Sequence, residues 1–85
     1  MKINFTTPFL RQLRKLEPEL QEEVVEKVEL FEKDPRYPGL KVHKLKGRLK
    51  GRWSFSVNYK TRNVFQHLSK DNVVLLAVGD HGVYK

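Results

Sequence analysis

The sequence predicts a two-layer α+β domain, in which an N-terminal strand and a helical hairpin pack on a four- to five-stranded, mainly antiparallel sheet. Two changes along the chain carry this. Apolar residues recur at helical spacing from Phe9 to Phe31 and alternate with polar ones from Val42 onward, and those two periods separate helix from strand. With 85 residues and no cysteine, the chain forms one domain over residues 1–85 whose stability must come from a single modest core.

Each element has a local reason. Lys2 to Thr6 alternate around Ile3 and Phe5, which predicts a short first strand. Thr7 followed by Pro8 is a helix start, because a hydroxyl can cap free N–H groups and proline suits the first turn. Phe9, Leu10, Leu13 and Leu16 then form one apolar stripe, and Pro18 opens a second helix striped by Leu20, Val24, Val28 and Phe31. Glu19, Glu22, Glu23, Glu26 and Glu29 make its solvated face.

DPRYPG, residues 34–39, ends the helical pattern with two prolines and a glycine. Strands are predicted near Val42 to Lys46, Trp53 to Tyr59, Arg62 to Leu68 and Val73 to Val78, with hairpin turns at YKT and SKDN. In the second of these, Trp53, Phe55, Val57 and Tyr59 share one face while Ser54, Ser56 and Asn58 share the other. The run VVLLAV is apolar on both faces and belongs in the sheet interior.

Charge separates the two halves of the chain. Residues 1–40 carry a net charge of −1 and residues 41–85 carry +8, within a total of +7. A basic half of this kind attracts a polyanion, with nucleic acid the commonest, or docks on an acidic protein partner. MKINFTTPFL lacks the apolar core of a signal peptide, and VVLLAV is too short to span a bilayer. A cytoplasmic protein with no membrane partner is expected.

Candidate functional residues cluster in the basic half. HKLKGRLKGR, residues 43–52, has Lys44, Lys46, Arg48, Lys50 and Arg52 at every second position, which in an extended backbone suits a phosphate chain. Its plain alternative is a solvated basic loop. Arg62 opens a strand and can pair with a phosphate through two parallel hydrogen bonds, or can be an ordinary strand-edge cation. His81 can exchange protons at neutral pH and stands between Asp80 and Gly82, with Tyr84 three residues on. His43, His67 and His81 show no H-x-x-x-H or H-E-x-x-H spacing, so no metal site is expected. Phosphate-loop and nucleophile-elbow motifs are absent, and no cofactor is expected.

A basic loop, an arginine, a terminal histidine and a tyrosine are what metal-free RNA cleavage uses. A base takes the proton of a ribose 2′-hydroxyl, a cation stabilises the crowded phosphorane, and an acid protonates the departing 5′-oxygen.

Here the chain resembles the RelE/ParE superfamily of bacterial toxins, and within it the ribosome-dependent mRNA endonucleases of the RelE and YafQ kind. FTTPFLRQLRKL, HKLKG, WSFSVNYKTRNVFQ and LLAVGDHGVY carry the resemblance in order, over nearly the whole chain. It implies a RelE-like fold and a toxin that cuts mRNA on the ribosome and is held inactive by a cognate antitoxin. By the same resemblance, Arg62 stabilises the transition state, His81 is the general acid or base, and Tyr84 positions the substrate base. His43 corresponds to a further active-site histidine of the YafQ-like branch, and Lys44 and Lys46 border the RNA groove. Two lysines of RelE proper are replaced here by Ser54 and Ser56, so the proton acceptor is expected to be His43 or His81. Ending at Lys85 without a helix after the last strand also matches the YafQ-like branch. Two other readings share the fold or the charge: a ParE-like toxin that inhibits DNA gyrase, and an RNA-binding module without catalysis.

Overall fold

Residues 1–47 and 51–80 are described by the structure, a computed structural model. Strand β1 (Lys2–Phe5) leads through Thr6 into helix α1 (Thr7–Lys15), and helix α2 (Pro18–Lys33) returns antiparallel to it. A single 3-10 turn at Pro38–Leu40 then delivers the chain to β2 (His43–Lys44), β3 (Trp53–Ser56), β4 (Arg62–Ser69) and β5 (Asn72–Gly79). No helix among the described residues is long and apolar enough to cross a membrane.

The first helix is capped one residue earlier than the sequence predicts. Thr6, not Thr7, keeps the extended backbone a cap requires, and its hydroxyl oxygen accepts from the Phe9 amide at 3.2 Å. Thr6 is still tied to the sheet: its amide donates to Leu75 O at 3.2 Å and its hydroxyl lies within reach of the same carbonyl. That tie holds Thr6 extended, so the helix can begin only at Thr7.

Five strands form one sheet in the order β1-β5-β4-β3-β2. Four of them make the expected antiparallel meander, whereas β1 lies parallel to β5, with Ile3 opposite Val73 and Phe5 opposite Leu75. The helical hairpin between β1 and the meander supplies the crossover that a parallel neighbour needs. VVLLAV therefore sits inside the sheet, flanked by β1 and β4.

Two strands are shorter than predicted. The first of the meander is only His43–Lys44, because the chain turns away through Gly47 at a φ of 72°. The next ends at Ser56, and Tyr59 does not share the Trp53 face. Asn58 accepts from the amides of Lys60 and Thr61, both at 2.9 Å, and so turns the chain immediately after Val57.

Helices cover one face of the sheet. Phe31 of α2 stacks on Phe55 with centroids 4.4 Å apart and tilts against Phe65 at 4.9 Å. Phe9, Val24, Leu40, Val73, Leu75 and Val78 complete this core. Cross-strand neighbours share a face, so Asn63, opposite Phe55 and Val78, also points into it. It is fully buried, and neither amide atom finds a hydrogen-bond partner among the described residues. Such a group weakens a core. Asn63→Val, close in volume and suited to a strand, is expected to raise stability by about 1–3 kcal/mol, read as a higher urea midpoint at unchanged slope.

Candidate active site

On the opposite face of the sheet, away from the helices, pairing brings polar residues together. His43 stands opposite Ser54, and Ser54 opposite Val64. Two residues further along, Ser56 stands opposite Arg62, and Arg62 opposite Gly79 at the end of β5. His43 and Arg62 thus lie on one face, two strands apart and staggered by two residues. Ordinary strand spacing puts their Cα atoms roughly 12 Å apart.

Ser54, Ser56 and Val64 are buried on this face, while Arg62 is half-buried and His43 exposed. A partly desolvated guanidinium acts on a phosphate more strongly than a fully hydrated one.

His43 is held in a defined tautomer by its own loop. Lys41 closes the 3-10 turn in the left-handed region, at a φ of 51° and a ψ of 45°. This brings its carbonyl oxygen to 2.9 Å from His43 Nδ1. A carbonyl only accepts, so in the neutral ring the proton resides on Nδ1 and Nε2 carries the lone pair. That is the state a general base requires.

Arg62 is fixed by the turn that precedes it. Its Nη1 donates to the carbonyls of Asn58 and Thr61, the latter at 3.2 Å. Asn58 is braced in turn by α2, since its Nδ2 donates to Glu23 Oε1. The Arg62 side chain is thereby connected through Asn58 to the helical layer.

The remaining predicted residues are placed as follows. Lys44 is opposite Trp53 and so lies on the helix-side face of the sheet edge, not on the His43 face. Lys46 and Arg52 are exposed, and the Leu45 amide donates to Arg52 O at 2.8 Å. Because the extended run ends at Lys44, alternation does not carry Lys46 onward in a single row with it. Arg48, Lys50, His81 and Tyr84 lie outside the described residues. The last described residue, Asp80, follows Gly79, the partner of Arg62. His67 meets the ring edges of Trp53 and Phe65 at 5.3 and 5.4 Å and takes no part in this face. Among the described residues no group of three or more His, Cys, Asp or Glu side chains could hold a metal ion.

Sequence reasoning missed the braces. An Asn at the head of a turn is a recognisable signal for the Asn58 bonds to Lys60 and Thr61. Nothing local reveals its link to Glu23, 35 residues away.

No family model matches the chain, and no curated protein sequence matches it. Solved structures do. YafQ from E. coli strain BL21(DE3) superposes with a TM-score of 0.80 at 14% identity, over 98% of this chain and 96% of that one. The toxin–antitoxin complex RelBE2 from Mycobacterium tuberculosis matches with a TM-score of 0.77 at 26% identity, over 94% of this chain and 96% of that one. A YoeB/ParE toxin from Agrobacterium tumefaciens matches with a TM-score of 0.76 at 18% identity, over 95% and 99%. Two helices on a five-stranded mixed sheet, matched over 94% or more of each chain in these three comparisons, give the chain the fold of the RelE/ParE toxins.

Proposed function

We propose that the chain is the toxin of a toxin–antitoxin pair, and that it acts as a ribosome-dependent endoribonuclease cutting mRNA without a metal or cofactor. The observation that carries this reading is the shared outer face of His43 and Arg62, with the histidine's Nε2 lone pair exposed and the arginine braced by its turn.

In this reading His43 Nε2 takes the proton of the ribose 2′-hydroxyl. The freed oxygen attacks the adjacent phosphorus, and Arg62 stabilises the charge that builds on the phosphorane oxygens. The bond to the 5′-oxygen breaks, and His81 delivers the proton to that oxygen. One product ends in a 2′,3′-cyclic phosphate and the other in a 5′-hydroxyl. Tyr84 positions the substrate base, and the cations Lys44, Lys46, Arg48, Lys50 and Arg52 supply long-range attraction to RNA. Placing His81 as the acid rests on its sequence position, one residue after Asp80.

A cognate antitoxin belongs to the same reading, since RelBE2 was solved as a toxin–antitoxin complex. The +8 half favours an acidic antitoxin segment that competes with RNA. The ribosomal substrate makes the location cytoplasmic.

Induction of the chain alone in a bacterium tests this. Growth is expected to stop, with new message ends mapped inside translated regions, and co-expression of the antitoxin restores growth. His81→Ala is expected to slow cleavage on the order of 10²-fold or more. Intact message accompanied by DNA breaks overturns the nuclease reading in favour of gyrase inhibition.

A further inference from the structure

Tyr59 is 86% exposed, far more than Tyr37 at 46%. A tyrosine ring is large and mostly apolar, and it ordinarily buries much of its surface. Here the ring stands on a turn that is held from several sides. Asn58 Oδ1 accepts from Lys60 N and Thr61 N, and the Val57 amide donates to Thr61 O at 2.9 Å. Asn58 Nδ2 ties the same turn to Glu23. A ring presented on a pinned turn loses little freedom when it is covered, so its contact surface is available for binding at low entropic cost.

The surroundings indicate what covers it. Lys60 follows directly and is exposed, and the Arg62 guanidinium bonds to the carbonyl of Asn58, the residue just before Tyr59. An aromatic face next to cations is how proteins hold unpaired nucleotides: the ring stacks on a base while the cations meet its phosphates. A protein hot spot would instead need apolar neighbours to exclude water around the ring. Of the other exposed large apolar side chains among the described residues, Met1, Phe5, Val25, Tyr37 and Leu68, two line a groove of about 310 Å³ between β1 and the helices, Phe5 and Val25.

We propose that Tyr59 is a stacking platform for an unpaired RNA base adjoining the phosphate held by Arg62. This rests on the nuclease reading only in taking that face as RNA-facing. The base comes from the message or from ribosomal RNA, and the chemistry is the same for either.

Binding of the purified protein is measured to a short single-stranded RNA, to ribosomes without message and to ribosomes carrying message. Tyr59→Ala is expected to weaken RNA or ribosome binding about 5- to 100-fold, with Tyr59→Phe and Tyr59→Trp close to wild type. Loss on free RNA or only on message-carrying ribosomes assigns the base to the message, and loss on ribosomes without message assigns it to ribosomal RNA. At its exposure the substitution leaves the fold intact, which an unchanged melting temperature verifies. Wild-type binding by Tyr59→Ala on all three probes overturns the proposal. So does weakened antitoxin binding with RNA binding intact, which makes the turn a protein-docking surface. Because binding is read apart from cleavage, a wild-type chain that binds RNA without cutting it overturns the proposed function and leaves the platform standing.

Discussion

Arg62→Ala is expected to lower the single-turnover rate of message cleavage by about 10²- to 10³-fold, the largest loss of activity from any described residue. The guanidinium faces the surface opposite the core and takes no part in the Phe31 cluster. Its loss to folding is limited to two bonds with turn carbonyls at a half-exposed position, net about 1 kcal/mol each. Melting should therefore shift by roughly 10 °C while cleavage nearly stops. Arg62→Lys keeps the charge but loses the planar two-pronged donor and is expected to recover only part of the rate. Asn58→Ala keeps the carbonyl that Arg62 Nη1 uses but removes the side-chain bonds to Glu23, Lys60 and Thr61. A looser guanidinium costs less than none, so this variant should fall between wild type and Arg62→Ala. The kinetic pattern is diagnostic: a fall in kcat at near-constant KM marks a group acting on the transition state, whereas a rise in KM alone marks simple phosphate binding. Unchanged cleavage by Arg62→Ala removes the arginine from the chemistry.

How much of this is legible in the sequence depends on how local each cause is. Both helices follow from their own stripes, and the two long strands fall within a residue of prediction at each end. Those are properties of neighbouring residues. The parallel pairing of Lys2 with Asn72 joins opposite ends of the chain, and no local pattern encodes it. The same holds for the faces of β4. Composition alone would put Val64 inside and Asn63 outside, yet Phe65 locks the register against Leu75 and the alternation carries Asn63 into the core with it. At the site, residue type pointed to Arg62, and the resemblance to the YafQ-like branch pointed to His43. The backbone that makes them useful did not show, because it depends on Lys41 adopting a left-handed conformation and on Asn58 reaching α2. The strand expected over Val42 to Lys46 is cut to His43–Lys44 by a cause its alternation does not show, the turn at positive φ through Gly47.

Phe31→Ala is expected to cost the most stability, about 3–5 kcal/mol. Phe31 is the ring of α2 that joins the layers, stacked on Phe55 and tilted against Phe65 with only 1% of its surface exposed. Truncation removes both ring contacts and leaves a cavity between a helix and the middle of a sheet, where neither can close easily. Domains are stable by about 5–15 kcal/mol, and an 85-residue chain without disulfides lies toward the lower end. Such a loss lowers the melting temperature by at least about 12 °C in a domain of this size. Phe31→Leu, which refills most of the space, should cost less than half as much. A shift of only a few degrees for Phe31→Ala would mean that α2 is not held by this stack. The effect on cleavage distinguishes core from site. Phe55 lies between Ser54 and Ser56 in β3, so the stack supports the strand that separates His43 from Arg62. Well below its melting temperature the variant should nevertheless cut close to the wild-type rate, because β3 is still paired on both sides. Its activity should then vanish along its unfolding curve, whereas Arg62→Ala is inactive at temperatures where it is fully folded.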